Sequence, residues 1–280
     1  MHLGDIEVLH IHSGNFFLDG GAMFGVVPKP LWEKKSAPDA RNRIRLAANS
    51  LFVRAANRNI LIETGNGIKW TPKLRDIYGI QDGDPLTENL AVAGIQPSQI
   101  DMVINTHLHF DHAGGNTKLV NNQAVPAFKN AKYFVQSAEL AHAANPTERD
   151  RASYFPENFQ PIQQSGQWQL LDVDTEILPG VSVVKIPGHN ASIQAIKLTG
   201  GGKTIFFVAD LFPTRHHLRL PWIMAYDLYP LQTLETKRKW LQTIVREGSI
   251  IVFGHDPDVP AATLHQRDDK IEFEPVNLNW

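Results

Sequence analysis

The chain has 280 residues, 42% of them hydrophobic and 20% charged, and its 27 Lys and Arg against 29 Asp and Glu leave a formal net charge of −2. That balance, without a block of like charges, gives no electrostatic footprint for nucleic acid or an anionic membrane. Cysteine is absent, which excludes disulfides and thiolate catalysis and leaves only nitrogen and oxygen to ligate a metal.

The predicted elements begin with a strand at Ile6–His12, followed by a segment at about 14–38 with too many Gly and Pro for regular structure. Ser50–Val53 and Asn59–Glu63 read as a hairpin turning at Ala56-Asn57-Arg58. Leu86–Ala93 has a helical pattern and stops at Gly94, with Pro97 beyond. Ile100–Asn105 is a short apolar run suited to a buried strand. Further strands are expected at Lys132–Val135, Val181–Ile186, Ala195–Leu198, Thr204–Val208 and Ser249–Phe253, with a helix at Leu231–Arg246. Alternating strands and helices predict an α/β layered sheet with helices outside it. No Pro/Gly/Ser linker divides the chain, so a single domain over residues 1–280 is expected. No apolar run reaches the length of a membrane span, and no basic-then-apolar leader opens the sequence; a cytoplasmic protein is the expectation.

Directly after the Ile100–Asn105 run comes Thr106-His107-Leu108-His109-Phe110-Asp111-His112-Ala113-Gly114-Gly115, with His107, His109, Asp111 and His112 inside six positions. An extended backbone points the side chains of His107 and His109 to the same side. Gly114 and Gly115 leave room for close backbone approach. A lone buried His is usually a hydrogen-bonded structural residue, but this density of uncoordinated ionisable groups at a strand end would be costly to bury. A metal site is the better reading.

The H-x-H-x-D-H pattern after a strand resembles the metallo-β-lactamase superfamily, and the rest of the chain matches that pattern in order. Val181–Ile186 leads to Gly188-His189, Thr204–Val208 leads to Ala209-Asp210, and Ser249–Phe253 leads to Gly254-His255. The resemblance implies an αββα sandwich of two sheets with helices on the outer faces. It assigns His107, His109 and His189 to one divalent metal ion, Asp111, His112 and His255 to a second, and Asp210 to both. Zinc suits these ligands; iron, manganese or cobalt also fit. Where the family commonly has Asp-x-Gly on the early hairpin, this chain has Glu63-Thr64-Gly65, which implies a tuned site. His2, His10, His12, His142 and His265 read as ordinary residues, whereas His216 and His217 follow Asp210 closely enough to line a cleft.

Two cations about 3.5–4 Å apart share a water and lower its pKa toward neutrality. The resemblance therefore implies a bridging hydroxide, with Asp210 orienting it and Asp111 accepting its proton. Apolar, aromatic but Gly- and Pro-broken segments at Phe16–Trp32 and Leu220–Asp227 resemble the N-acyl homoserine lactonase branch. They nominate Met23, Phe24, Trp222 and Tyr226 as substrate contacts and the N-terminal segment as a homodimer element. A lactone or other small-molecule ester is the expected substrate. Some lactonases of this branch place a Tyr three residues after the bridging Asp; here that position is Pro213. Hydrolysis of organophosphate triesters or of general carboxylesters is the alternative, and a mononuclear iron dioxygenase of the same fold is a more distant one.

Overall fold

A computed structural model describes residues 1–268 and 270–278. In chain order the first half supplies β1 (His2–Leu3), β2 (Ile6–Asp19), β3 (Arg43–Ala55), β4 (Arg58–Ile62) and β5 (Met102–Ile104). A small hairpin of β6 (Thr117–Val120) and β7 (Gln123–Pro126) follows, then β8 (Lys132–Gln136) and β9 (Trp168–Leu171). The second half supplies β10 (Thr175–Leu178), β11 (Val181–Lys185), β12 (Gln194–Gly200), β13 (Lys203–Phe207), β14 (Ile250–Val252), β15 (Ala261–Arg267) and β16 (Lys270–Pro275). Two seven-stranded sheets result, ordered β1-β2-β3-β4-β5-β8-β9 and β10 to β16 in sequence. The helices are α1 (Gly20–Phe24), α2 (Lys29–Trp32), α3 (Pro72–Tyr78), α4 (Pro85–Val92), α5 (Phe110–Ala113), α6 (Ser137–Ala144), α7 (Gln160–Gln164) and α8 (Pro230–Glu247).

The central strands are apolar on both faces because both faces are covered. Ile60 and Ile62 of β4, and Met102 and Ile104 of β5, join residues of the second sheet such as Val183, Ile196 and Phe207 in one core. The intervening Leu61 and Val103 turn outward to meet Leu86 and Leu90 of α4. On the far face of the second sheet, Trp240 of α8 meets Phe206 edge-on with ring centroids 5.3 Å apart. Helices thus cover a pair of facing sheets, the metallo-β-lactamase layering implied by the motifs. No helix among the described residues is long and apolar enough to cross a membrane.

The expectation of an irregular segment at 14–38 is corrected. β2 runs on to Asp19, and two short helices follow it. The register against β3 shifts between His12 and Asn15, where Gly14 adopts φ +115°. A β-bulge therefore absorbs the glycine and re-aims the strand. Asp19 then caps α1 by accepting the Ala22 N–H at 2.8 Å.

α8 buries Thr233, Lys237, Leu241 and Ile244, and Gly248 closes it in the left-handed conformation. The Lys237 ammonium is buried and donates to the carbonyls of Arg219, Leu220 and Trp222 at 2.9, 3.3 and 2.7 Å. Burial lowers its pKa to about 7, against a small opposing pull from Asp227. Between that value and the ordinary lysine range, the unfolded chain holds a proton that the folded chain has lost, so folding gains with rising pH across that window. Comparing thermal unfolding of the native protein with Lys237→Met, the native protein's advantage should stay flat below pH 7 and widen from there toward pH 10.

Candidate metal centre

The ligands predicted from the sequence sit past the C-terminal ends of central strands or on the short helix that follows one of them. β5 leads to His107, β11 to His189, β13 to Asp210 and β14 to His255, while α5 carries Asp111 and His112. Backbone bonds lock the two sheets together at this end: Ala47 N–H to His255 O at 3.1 Å, Asn49 N–H to Gly254 O at 2.9 Å, and Gln194 N–H to Thr106 O at 3.1 Å. Gly114 permits the crossing behind α5, since a Cβ there would lie 2.1 Å from the Asn66 carbonyl oxygen.

All seven side chains converge. His107, His109, His189 and Asp210 place one ligand atom each within 4.8 Å of one another, and so do Asp111, His112 and His255. Asp210 faces both groups. Its Oδ2 lies 3.2 Å from His189 Nε2 and 3.8 Å from His107 Nε2, and its Oδ1 lies 2.9 Å from His255 Nε2 and 3.3 Å from His112 Nε2. Asp111 Oδ2 sits 3.5 Å from His255 Nε2 and 3.9 Å from His112 Nε2.

Neighbouring groups aim the imidazoles. Asp227 Oδ1 accepts from His189 Nδ1 at 2.9 Å, while its Oδ2 takes the Thr233 hydroxyl at 2.7 Å. The Ala47 carbonyl accepts from His255 Nδ1 at 2.9 Å, and Thr106 Oγ1 lies 2.9 Å from His107 Nδ1. Glu63 is buried with φ +62°; it accepts the Thr106 N–H at 2.8 Å and the Asn105 amide at 3.2 Å, and it stands 3.6 Å from His112 Nδ1. The longer carboxylate of Glu63 therefore reaches the ligand loop and supports the site from behind.

Sequence reasoning missed Glu139. This carboxylate, fully buried in α6, accepts from the Leu108 N–H at 2.9 Å, Tyr154 OH at 3.1 Å, Asn190 Nδ2 at 2.9 Å and Ser192 Oγ at 2.6 Å. It ties the loop bearing His107 and His109 to the loop bearing His189. Its only sequence signal is a Glu amid Leu and Ala in a short helix, which is indistinguishable from a surface position.

These residues fit a pair of cations. Among the described residues His107 Nε2, His109 Nε2 and Asp210 Oδ1 are buried without a hydrogen-bond partner, a cost that coordination would remove. Burial, reinforced by the crowding imidazoles, pushes His107 and His109 well below the usual imidazole range, leaving neutral rings with free lone pairs. For Asp210, burial opposes ionisation, but His112, His255 and His189 outweigh it and hold the carboxyl well below its usual range.

The cluster opens into a cavity of about 230 Å³ walled by Leu18, Met23, Tyr78, Phe110, Met224 and Tyr226, with Arg149 beside them. Of the predicted substrate contacts, Met23 and Tyr226 line it. Phe24 and Trp222 do not: Phe24 stacks between Trp32 and His217 at 5.5 and 5.0 Å as packing behind the wall, and Trp222, edge-on to it at 5.4 Å, faces a different cavity. His217 is part of that packing too, bonded to Met23 O at 2.9 Å, while His216 faces a different cavity. Tyr78 was not anticipated, since α3 itself was not.

The family model of the metallo-beta-lactamase superfamily matches residues 43–255. The chain belongs to the metallo-β-lactamase superfamily. Over 99% of each chain it superimposes on a probable metal-dependent hydrolase from Staphylococcus aureus, with a TM-score of 0.91 and 30% identity. It also matches an N-acyl homoserine lactonase of Bacillus thuringiensis, 28% identical over 176 residues, which are 62% of this chain and 62% of that protein's length. AidC, described as a dizinc quorum-quenching lactonase, shares the fold with a TM-score of 0.82 at 19% identity, over 99% of this chain and 96% of that one. Within this superfamily member, Glu63→Ala removes the carboxylate behind His112. It should weaken metal binding by about 10- to 100-fold in a competitive chelator titration, and the fold should survive by circular dichroism.

Proposed function

We propose that the chain is a dinuclear metal-dependent hydrolase that opens lactone esters, N-acyl homoserine lactones foremost, with zinc as the paired metal. The observation that carries this reading is the seven-ligand cluster opening onto a small, largely apolar cavity that suits a neutral ester with an acyl chain. The likeness to lactonases along part of the chain supports it. His107, His109 and His189 would hold one cation, Asp111, His112 and His255 the other, and Asp210 would reach both. When bound, the pair supplies a Lewis acid for the ester carbonyl and a water of lowered pKa.

The chain's own groups do the rest. Asp111 lies on the cavity wall and accepts a proton from the attacking water as its oxygen bonds to the carbonyl carbon. As the ring C–O bond breaks, that proton passes from Asp111 to the departing ring oxygen. The product is a hydroxy acid that ionises at neutral pH. Burial raises the pKa of Tyr78, with Asp111 adding to it, and burial with Asp19 raises that of Tyr226. Both phenols therefore stay protonated and donate hydrogen bonds to a substrate carbonyl, which answers the Pro213 at the usual tyrosine position. On the N-terminal segment Val26 is 89% and Leu31 54% exposed, which supports its use as a contact between two copies.

The decisive measurement is proton release on N-acyl homoserine lactones, paired with elemental analysis of the purified protein. Turnover with one proton per ring opened and two metals per chain is the expected result. Inert lactones with rapid phosphotriester hydrolysis overturn the substrate, and one iron per chain overturns the dinuclear reading. Tyr226→Phe should lower kcat/KM for the lactone about tenfold, the worth of one hydrogen bond in the transition state. Sedimentation should give a dimer, and Val26→Asp should dissociate it.

A further inference from the structure

A second cavity, of about 1030 Å³, lies between α8, the β15–β16 hairpin and the 215–222 loop. Among the described residues its lining includes six cationic side chains, Lys35, Arg215, Arg219, Arg238, Arg246 and Lys270, and no carboxylate. Arg215 is spent on Asp256 and Asp258, Arg238 on Glu235, and Arg246 on Glu247. The Arg219 guanidinium instead lies 5.0 Å over the Trp222 ring on the cavity wall. The floor is apolar, formed by Leu218, Trp222, Leu241 and Ile271. His216 adds no charge near neutrality, because burial and the adjacent Arg215 lower its pKa to about 4.

Like charges gathered over a concave apolar floor raise the local potential and concentrate anions. A bare inorganic anion leaves the floor wet, and a neutral alkyl chain leaves the cations without a counter-charge. We propose that this cavity is a binding site for an amphiphilic anion, a carboxylate head on a medium-length alkyl or acyl chain. Its head lies among Lys35, Arg219 and Lys270, and its chain lies over Trp222 and Leu241.

The cavity shares a wall with the metal centre. Trp222 faces the second cavity, whereas Met224, Ala225 and Tyr226, two to four residues on, face the first. Lys237 holds this loop by the carbonyls of Arg219, Leu220 and Trp222. An occupant that presses on Trp222 therefore bears on the same loop that carries residues of the metal-centre cavity.

Calorimetric titration with decanoate tests this, with N-decanoyl homoserine as a second anionic probe and decanol as the neutral control. Both anions should bind once per chain, at least tenfold tighter than decanol. Binding should survive removal of metals by chelation, which separates it from ligation at the metal centre. Lys35→Glu and Lys270→Glu should each weaken it at least fivefold, without changing the melting temperature. Arg219→Glu should do the same, but the two lysine variants keep the test valid if loss of the Trp222 contact perturbs that fold. Equal binding of decanol, loss of binding on chelation, or indifference to both lysine reversals each overturns the proposal. The binding readout is independent of whether lactones are the substrate.

Discussion

The whole site depends on one carboxylate with two faces. Asp210 directs one oxygen at the His107–His189 side and the other at the His112–His255 side, so a single residue faces both groups of donors. Burying such a charge is affordable only because imidazoles crowd it on both sides. The same crowding leaves ligand nitrogens facing inward without partners of their own. Bound cations would reconcile these demands, and the surrounding hydrogen bonds to Asp227, Ala47 and Thr106 hold His189, His255 and His107 in place.

Rigidity behind the ligands comes from two buried acids with different roles. Glu139 gathers three donors from the loops bearing His107, His109 and His189 and a fourth from Tyr154, which ties those loops together. Glu63 occupies a left-handed backbone conformation that costs a side-chain-bearing residue about 1 kcal/mol or more. That conformation turns the chain so that its carboxylate meets the β5–α5 loop, an arrangement in which local strain is offset by fixing Thr106 and Asn105.

The strand ends that carry chemistry were readable because each pairs an apolar run with a polar residue that has no business in a core. Ile100–Asn105 before His107 and Thr204–Val208 before Asp210 are examples; the dense His107–His112 stretch stands out by itself, and the family resemblance adds His189, Asp210 and His255, which converge with it. What escaped had no such contrast. The β15–β16 hairpin has mixed, partly exposed residues, and α3 and α6 are short helices whose periodicity covers barely two turns. Gly14 read as a breaker because sequence cannot tell a bulge from a loop. Phe24 and Trp222 read as contacts of the metal-centre cavity because an aromatic on an irregular segment looks the same whether it faces that cavity, the packing behind it or a different cavity.

The ligands arrive from both sheets and from widely separated stretches of chain, with His255 only reached by the fourteenth strand. During synthesis His107, His109, Asp111 and His112 emerge long before Asp210 and His255, and the early group alone lacks the shared carboxylate. The backbone bonds from Ala47 and Asn49 to Gly254 and His255 then join the first sheet to a segment made much later. Convergence of the two clusters is in this sense a check on assembly: only a molecule whose two halves have docked in register brings all seven side chains together.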